Sequence, residues 1–261
     1  MRYTLIVSYD GTAYHGWQEQ RHGSRTVAET LQRTYQQVFG PEITIVGASR
    51  TDTGVHALGQ VAQFHSPLQL DSATLLRALN GGLPPDIHVR TIGLSADRFH
   101  VHHDVLYKIY HYHLFTKRPL PQFARYGYYH SYAWDAQKLA EALQLFTGEH
   151  DFWSFCAGER DSHCRIDDIR LTPLARGQGY RIAIKGNRFA YHQVRRMVGA
   201  ALCIATSQKR MPEEIAQALK HQSPRELFPT APAHGLMLRK IVYAHPLFRD
   251  KLLSDERLVI P

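Results

Sequence analysis

Acidic side chains are in short supply in this chain: 261 residues carry 23 Asp and Glu against 31 Lys and Arg, a formal charge of +8. A surplus of that sign favours a polyanionic partner over an acid-rich one. Cysteine is scarcer still. Cys156, Cys164 and Cys203 are an odd number with no CxxC spacing, which excludes a disulfide framework and fits a reducing, cytoplasmic setting. The most apolar stretch, Met197 to Ala205, falls far short of the roughly 20 residues a membrane-spanning helix needs. The N-terminus has no apolar core followed by a small-residue cleavage site, and neither end carries a basic amphipathic tail. A soluble intracellular protein with no membrane partner is expected. There is no P-loop, no G-x-G-x-x-G after a strand and no H-E-x-x-H. No cofactor is therefore expected, and no metal either. His100, His102, His103, His111 and His113 lack the further ligands a metal site requires and read as surface or hydrogen-bonded histidines. Low-complexity tracts and Pro/Ser linkers are also missing.

What remains is ample for a core: hydrophobic residues make up 44% of the chain. The length suits one large domain or two modest ones. Tyr3, Leu5, Val7 and Tyr9 alternate with Arg2, Thr4, Ile6 and Ser8, the period of a strand. A Gly- and aromatic-rich loop runs from Gly11 to Gly23. Thr26-Val27-Ala28-Glu29 is a capping box opening a helix that Gly40-Pro41 stops. Strands at Ile43–Ala48 and Val61–His65, a helix at Asp71–Leu79 and a strand at Ile87–Leu94 complete a β-α-β-β-α-β order. The second half repeats that order: a strand at Val105–Phe115, a helix at Asp135–Phe146, a hairpin at Ile166–Leu174 and Tyr180–Lys185, helices at Phe189–Thr206 and Pro212–Lys220, and a strand at Leu236–Ala244. The predicted fold class is α+β: two similar halves (1–104 and 105–261), each a largely antiparallel sheet backed by helices in the manner of tandem RRM or ferredoxin-like units, with a cleft between them.

One segment carries candidate chemistry. Ser49-Arg50-Thr51-Asp52-Thr53-Gly54-Val55-His56 joins two strands, where a scaffold holds functional groups, and puts an acid two residues after an arginine. Composition alone favours a polar turn whose Asp52 bonds its own backbone.

The segment resembles the catalytic loop of the A-type tRNA pseudouridine synthases, whose signature is Arg-Thr-Asp followed by Gly-Val-His. Four further motifs follow the family in order: Tyr9 to Gln18, Asn80-Gly81-Gly82-Leu83-Pro84, Phe189 to Gly199, and Ala231 to Tyr243. Departures fall at Ala48-Ser49, Thr53 and His102-His103.

The resemblance implies an isomerase that converts uridine to pseudouridine in the anticodon stem-loop of tRNA, at positions 38, 39 and 40, working as a cytoplasmic homodimer. It assigns Asp52 as the catalytic carboxylate, Arg50 as the residue displacing the target base, Tyr110 as the active-site tyrosine with Tyr107 as rival, and Arg195 as the carboxylate's basic partner. The chemistry needs neither a redox cofactor nor a group donor. A carboxylate can attack the sugar or stabilise a glycal-like intermediate, and a cation keeps it charged in a partly dry site. A tyrosine ring can stack on uracil. Arg21, Arg25, Lys108, Lys117, Arg118, Arg160, Arg165, Lys185 and Arg188 are candidate phosphate contacts. A non-catalytic RNA-binding protein with two RRM-like halves is the alternative, although Val105–Phe115 does not fit the aromatic RNP pattern. A base glycosylase using Asp52 is a second.

Overall fold

The computed structural model describes residues 1–18, 25–158, 162–221 and 227–250. Arg21 and Arg160 lie outside them. The described chain divides into two compact units, Met1–Leu106 with the chain from Leu238, and Tyr107–Met237.

In the first unit β1 (Arg2–Tyr9), β2 (Ile45–Gly47), β3 (His56–His65), β4 (Ile87–Leu94) and β10 (Leu236–Tyr243, from Leu238) form the sheet. The strand order is β4-β1-β3-β10, with β2 also on β3. β1 is antiparallel to both neighbours, setting Leu5 opposite Ala62 and Ile92. Helices α1 (Val27–Phe39) and α2 (Ser72–Gly82) supply Val27, Leu31, Tyr35, Leu75 and Leu79 to the core. The capping box forms as expected: Thr26 accepts the Glu29 N–H, and Gly40, at φ +96°, ends α1.

β1 is the strand its alternation predicts, and it is buried on both faces, where the Thr4 and Ser95 hydroxyls share a 2.8 Å hydrogen bond. Two expectations need correction. β3 starts at His56 rather than Val61, immediately after the candidate loop. α2 continues through Asn80-Gly81-Gly82. The Asn80 side chain then clips to β4, donating to Val89 O (2.8 Å) and accepting from Val89 N (2.9 Å).

In the second unit β5 (Val105–Phe115), β9 (Gly179–Gly186), β8 (His163–Pro173) and β7 (Gly148–Asp151) pair in that order, and β6 (Tyr128–Tyr129) runs parallel to β5. The β8–β9 hairpin and β5 are where expected; β6 and β7 were not anticipated. Helices α3 (Ala136–Gln144), α4 (Gln193–Thr206) and α5 (Glu213–His221) pack their apolar sides inward through Leu139, Leu143, Met197, Val198, Ile204 and Ile215. α4 begins four residues later than its apolar run suggests. His192 adopts a left-handed conformation (φ +62°) that a helix interior cannot hold. The last strand, expected with the second half, groups with the first unit from Leu238. No helix among the described residues is long and apolar enough to cross a membrane.

Candidate active site

The Asp52 loop runs between β2 and β3, and its burial alternates. Ser49, Thr51 and Val55 point inward, Arg50 is exposed and Asp52 is half-buried. Each inward residue is tied. Gln60 is fully buried and its amide treats Ser49 as a second strand would, accepting from its N–H (3.2 Å) and donating to its carbonyl (2.5 Å). Thr51 shares a 2.8 Å hydrogen bond with the hydroxyl of Tyr9. Val55 N–H donates to Asp52 O at 3.1 Å, closing a turn that Gly54 permits at φ +78°. The turn expected from composition is thus present, formed by the Asp52 carbonyl.

The Tyr9–Gln18 segment, matched above only by resemblance, is the cradle of this loop. Trp17 N–H donates to Thr51 O (3.1 Å), and Gly54 N–H donates to Tyr14 O (3.2 Å). Gly11 N–H donates to Nδ1 of the buried His56 at 3.1 Å. Gly16 has φ +85°, and a Cβ there would run into the Thr51 carbonyl and the Asp52 backbone. Backbone bonds therefore hold the chain on both sides of Asp52. Gly16→Ala is expected to cost about 2 kcal/mol of stability. By displacing the Thr51 carbonyl it should also lower turnover at least about tenfold. Thermal melting and initial rates check this; unchanged rates would mean that the loop does not depend on the close approach.

The same cradle absorbs one candidate phosphate contact. Arg25 lies over the Tyr14 ring (4.7 Å) and donates to its hydroxyl (3.0 Å), while that hydroxyl donates to Asp86 at 2.5 Å. Burial, and then the Asp86 carboxylate, push the Tyr14 hydroxyl far above its ordinary value.

Tyr110 and Arg195 belong to the second unit. The pleat of β5 puts Lys108, Tyr110, Tyr112 and Leu114 on one face and Tyr107, Ile109, His111 and His113 on the other. Tyr110 is buried, its ring edge-on to Phe189 at 5.0 Å. Tyr107, the rival, lies under the Lys185 ammonium at 4.1 Å. Tyr110 is the one that shares a face with Tyr112. Burial drives the Tyr112 hydroxyl upward, and the nearby Arg195 guanidinium works against that rise. Arg195, in the first turn of α4, is clamped reciprocally to Ala231: its Nε donates to Ala231 O (2.8 Å) and its carbonyl accepts from Ala231 N (3.0 Å). Tyr112 donates to Pro232 O at 2.9 Å. Gly199 faces the Pro229 carbonyl and Gly235 the Tyr112 ring, each too closely for a Cβ. These approaches explain why the Phe189–Gly199 and Ala231–Tyr243 motifs carry glycine at those points.

Lys108, one of the candidate phosphate contacts, is a further polar group on that face and is half-buried. Burial, and secondarily Arg188, hold its ammonium down at about 8. Below pH 8 the cost of keeping the proton is fully present. Between pH 8 and 10.5 the unfolded chain binds more protons than the native one, so stability climbs with pH, by up to ~3 kcal/mol. Lys108→Met is expected to be the more stable protein at pH 7.5 and to lose that climb, as read by urea unfolding at pH 7.5 and 10. An unaltered slope would remove Lys108 as its source.

Of the other candidate contacts, Arg165 bonds Asp167 at 2.7 Å and Lys185 lies 3.9 Å from the same carboxylate. Lys117, Arg118 and Arg188 are exposed. No three His, Cys, Asp or Glu side chains among the described residues come together as metal ligands.

The sequence profile of the tRNA pseudouridine synthases matches residues 5–104 and 142–244, which hold all four residues assigned above except Tyr110. Among curated proteins, tRNA pseudouridine synthase A of Bacillus licheniformis is 36% identical over 247 residues, covering 93% of this chain and 99% of that protein. The protein of that name from Streptococcus pneumoniae serotype 19F is 38% identical over 248 residues, covering 93% and 98%. Its namesake from Thermodesulfovibrio yellowstonii is 36% identical over 252 residues, covering 92% and 98%. With the loop, its cradle and the Arg195 clamp all falling on the shared motifs, the chain belongs to the tRNA pseudouridine synthase family.

Proposed function

We propose that this protein isomerises uridine to pseudouridine in tRNA, at positions 38, 39 and 40 of the anticodon stem-loop, acting as a cytoplasmic homodimer with Asp52 as the catalytic carboxylate. The observation that carries the reading is the Asp52 loop itself. Its backbone is fixed by Gln60, Tyr9, Tyr14 and Trp17, so a half-buried carboxylate is presented from a loop held in one position. We take residues 1–104 and 105–261 as tandem halves in the order of their elements, since β1-α1-β2-β3-α2-β4 and β5-α3-β8-β9-α4-β10 run alike, although β10 groups with the first unit.

The reaction breaks N1–C1′, turns the uracil and joins C5 to C1′, and the C5 proton leaves last. Either the Asp52 carboxylate bonds C1′ and is displaced by C5, or it stabilises a glycal-like species; both routes return it unchanged. A uridine in a paired stem must first leave the stack, at a cost of about a few kcal/mol. Arg50, exposed two residues from Asp52, is suited to take the vacated place. Tyr110 supplies a flat, buried ring for the base, and Arg195 the counter-charge. The test is incubation with unmodified tRNA carrying 5-tritiated uridine, scoring released label and mapping the altered positions. Release at the anticodon stem-loop is expected. Free uracil would mean a glycosylase, and unchanged RNA a binding protein.

A further inference from the structure

The thirty residues from Val105 to Trp134 contain no Asp or Glu, four Lys or Arg, and ten Phe, Tyr or Trp, a third of the stretch against 11% of the chain. The first part of it builds the Tyr110 face of β5. The second part goes elsewhere. From residue 116 to 126 every side chain but that of Pro119 is exposed. Leu120 (62%), Phe123 (56%), Tyr126 (36%) and, beyond β6, Tyr132 (74%) all meet solvent. Large apolar groups clustered on a surface mark a place where something binds.

The backbone beneath them is organised. Phe123 N–H donates to Leu120 O (2.9 Å) and Tyr126 N–H to Phe123 O (3.0 Å). His113 Nδ1 meets Tyr126 O at 3.1 Å, and Tyr128 and Tyr129 pair with Leu114 and Phe115. Rings follow one another along it: Tyr128 to His130 at 5.7 Å, and His130 to Tyr132 at 5.7 Å. Lys117, Arg118 and Arg125 are exposed among them.

We propose that Lys117–Tyr132 is a docking ledge for unpaired RNA nucleotides, its exposed rings stacking on bases while Lys117, Arg118 and Arg125 take the adjoining phosphates. Flat faces interleaved with cations, and no acid within the segment, complement single-stranded nucleic acid, whose bases offer free π-faces. A second copy of this chain fits worse, because self-association through the ledge would bring the same cations against each other. The proposal rests on the RNA-substrate reading above and adds where the RNA's unpaired part lies.

The experiment compares wild type, Phe123→Ala/Tyr132→Ala and Arg118→Gln/Arg125→Gln. Fluorescence anisotropy with unmodified tRNA across a salt series, tritium-release kinetics and sedimentation are measured on each. The ring variant is expected to bind about tenfold more weakly, with KM rising in step, kcat unchanged and its salt slope that of wild type. Phe123→Trp/Tyr132→Trp should restore binding. The guanidinium variant should flatten the slope by about one to two units. Wild-type binding with an unaffected ring variant overturns the ledge alone. So does a ring variant whose only change is dissociation of a dimer, which would make the ledge a seat for a second copy. A wild-type protein that does not bind tRNA overturns both readings.

Discussion

Asp52→Asn is expected to abolish tritium release, with kcat falling by at least about 10⁴-fold, or some 5.5 kcal/mol of barrier. Affinity for tRNA should stay within about tenfold. The reasoning is local. An amide keeps the shape of the carboxylate but can neither bond C1′ reversibly nor offset a developing positive sugar. Ties through Thr51 O, Asp52 O, Gly54 N and Gln60 survive the substitution and go on holding the loop. Melting temperature should therefore move little. A variant that melts like wild type and still releases label would remove Asp52 from the chemistry. One that is inactive and also unfolds early would leave the loop's own stability as the cause.

Arg195→Ala is expected to lower kcat by about 10²–10³-fold while KM changes by less than about threefold. Arg195→Lys should recover only a small part, since an ammonium cannot both donate to Ala231 O and present the remaining planar donors. The backbone half of the clamp, Ala231 N to Arg195 O, survives either change and keeps α4 in place. The diagnostic is the double variant. If Arg195 serves Asp52, Asp52→Asn/Arg195→Ala should be no slower than Asp52→Asn alone. Losses that add, or a KM that rises as much as kcat falls, would make Arg195 a phosphate contact.

Much of this architecture was readable from local patterns. β4, β5 and α1 fall where alternation and capping put them, because each boundary is set by residues adjacent in the chain. The misses share a different cause. Nothing near His56 announces a strand, since β3 is extended by pairing with β1 rather than by its own polar residues. Phe189 to His192 is apolar enough to pass for helix, yet a left-handed His192 delays α4. Lysine at position 108 reads as a phosphate contact, and only the assembled second unit makes it half-buried with its ammonium held down. At the site, composition yields a turn and stops there. The resemblance singled out Asp52, and the structure adds why Gly11, Gly16 and Tyr9 accompany it forty residues earlier in the chain. That close approach leaves no local signature except the glycines.

β10 packs with the first unit although it is the last strand among the described residues. It pairs with β3, the strand whose Gln60 pins Ser49, and Gly59 lies against the Arg239 carbonyl. On a ribosome adding about 5–20 residues per second, Asp52 waits roughly 10–40 s for the strand that completes its sheet. A nascent chain released before that point would carry every residue of the Asp52 loop on an unfinished scaffold. Translation through β10 is thus itself a checkpoint, and products terminated before it should be inert toward RNA instead of partially active.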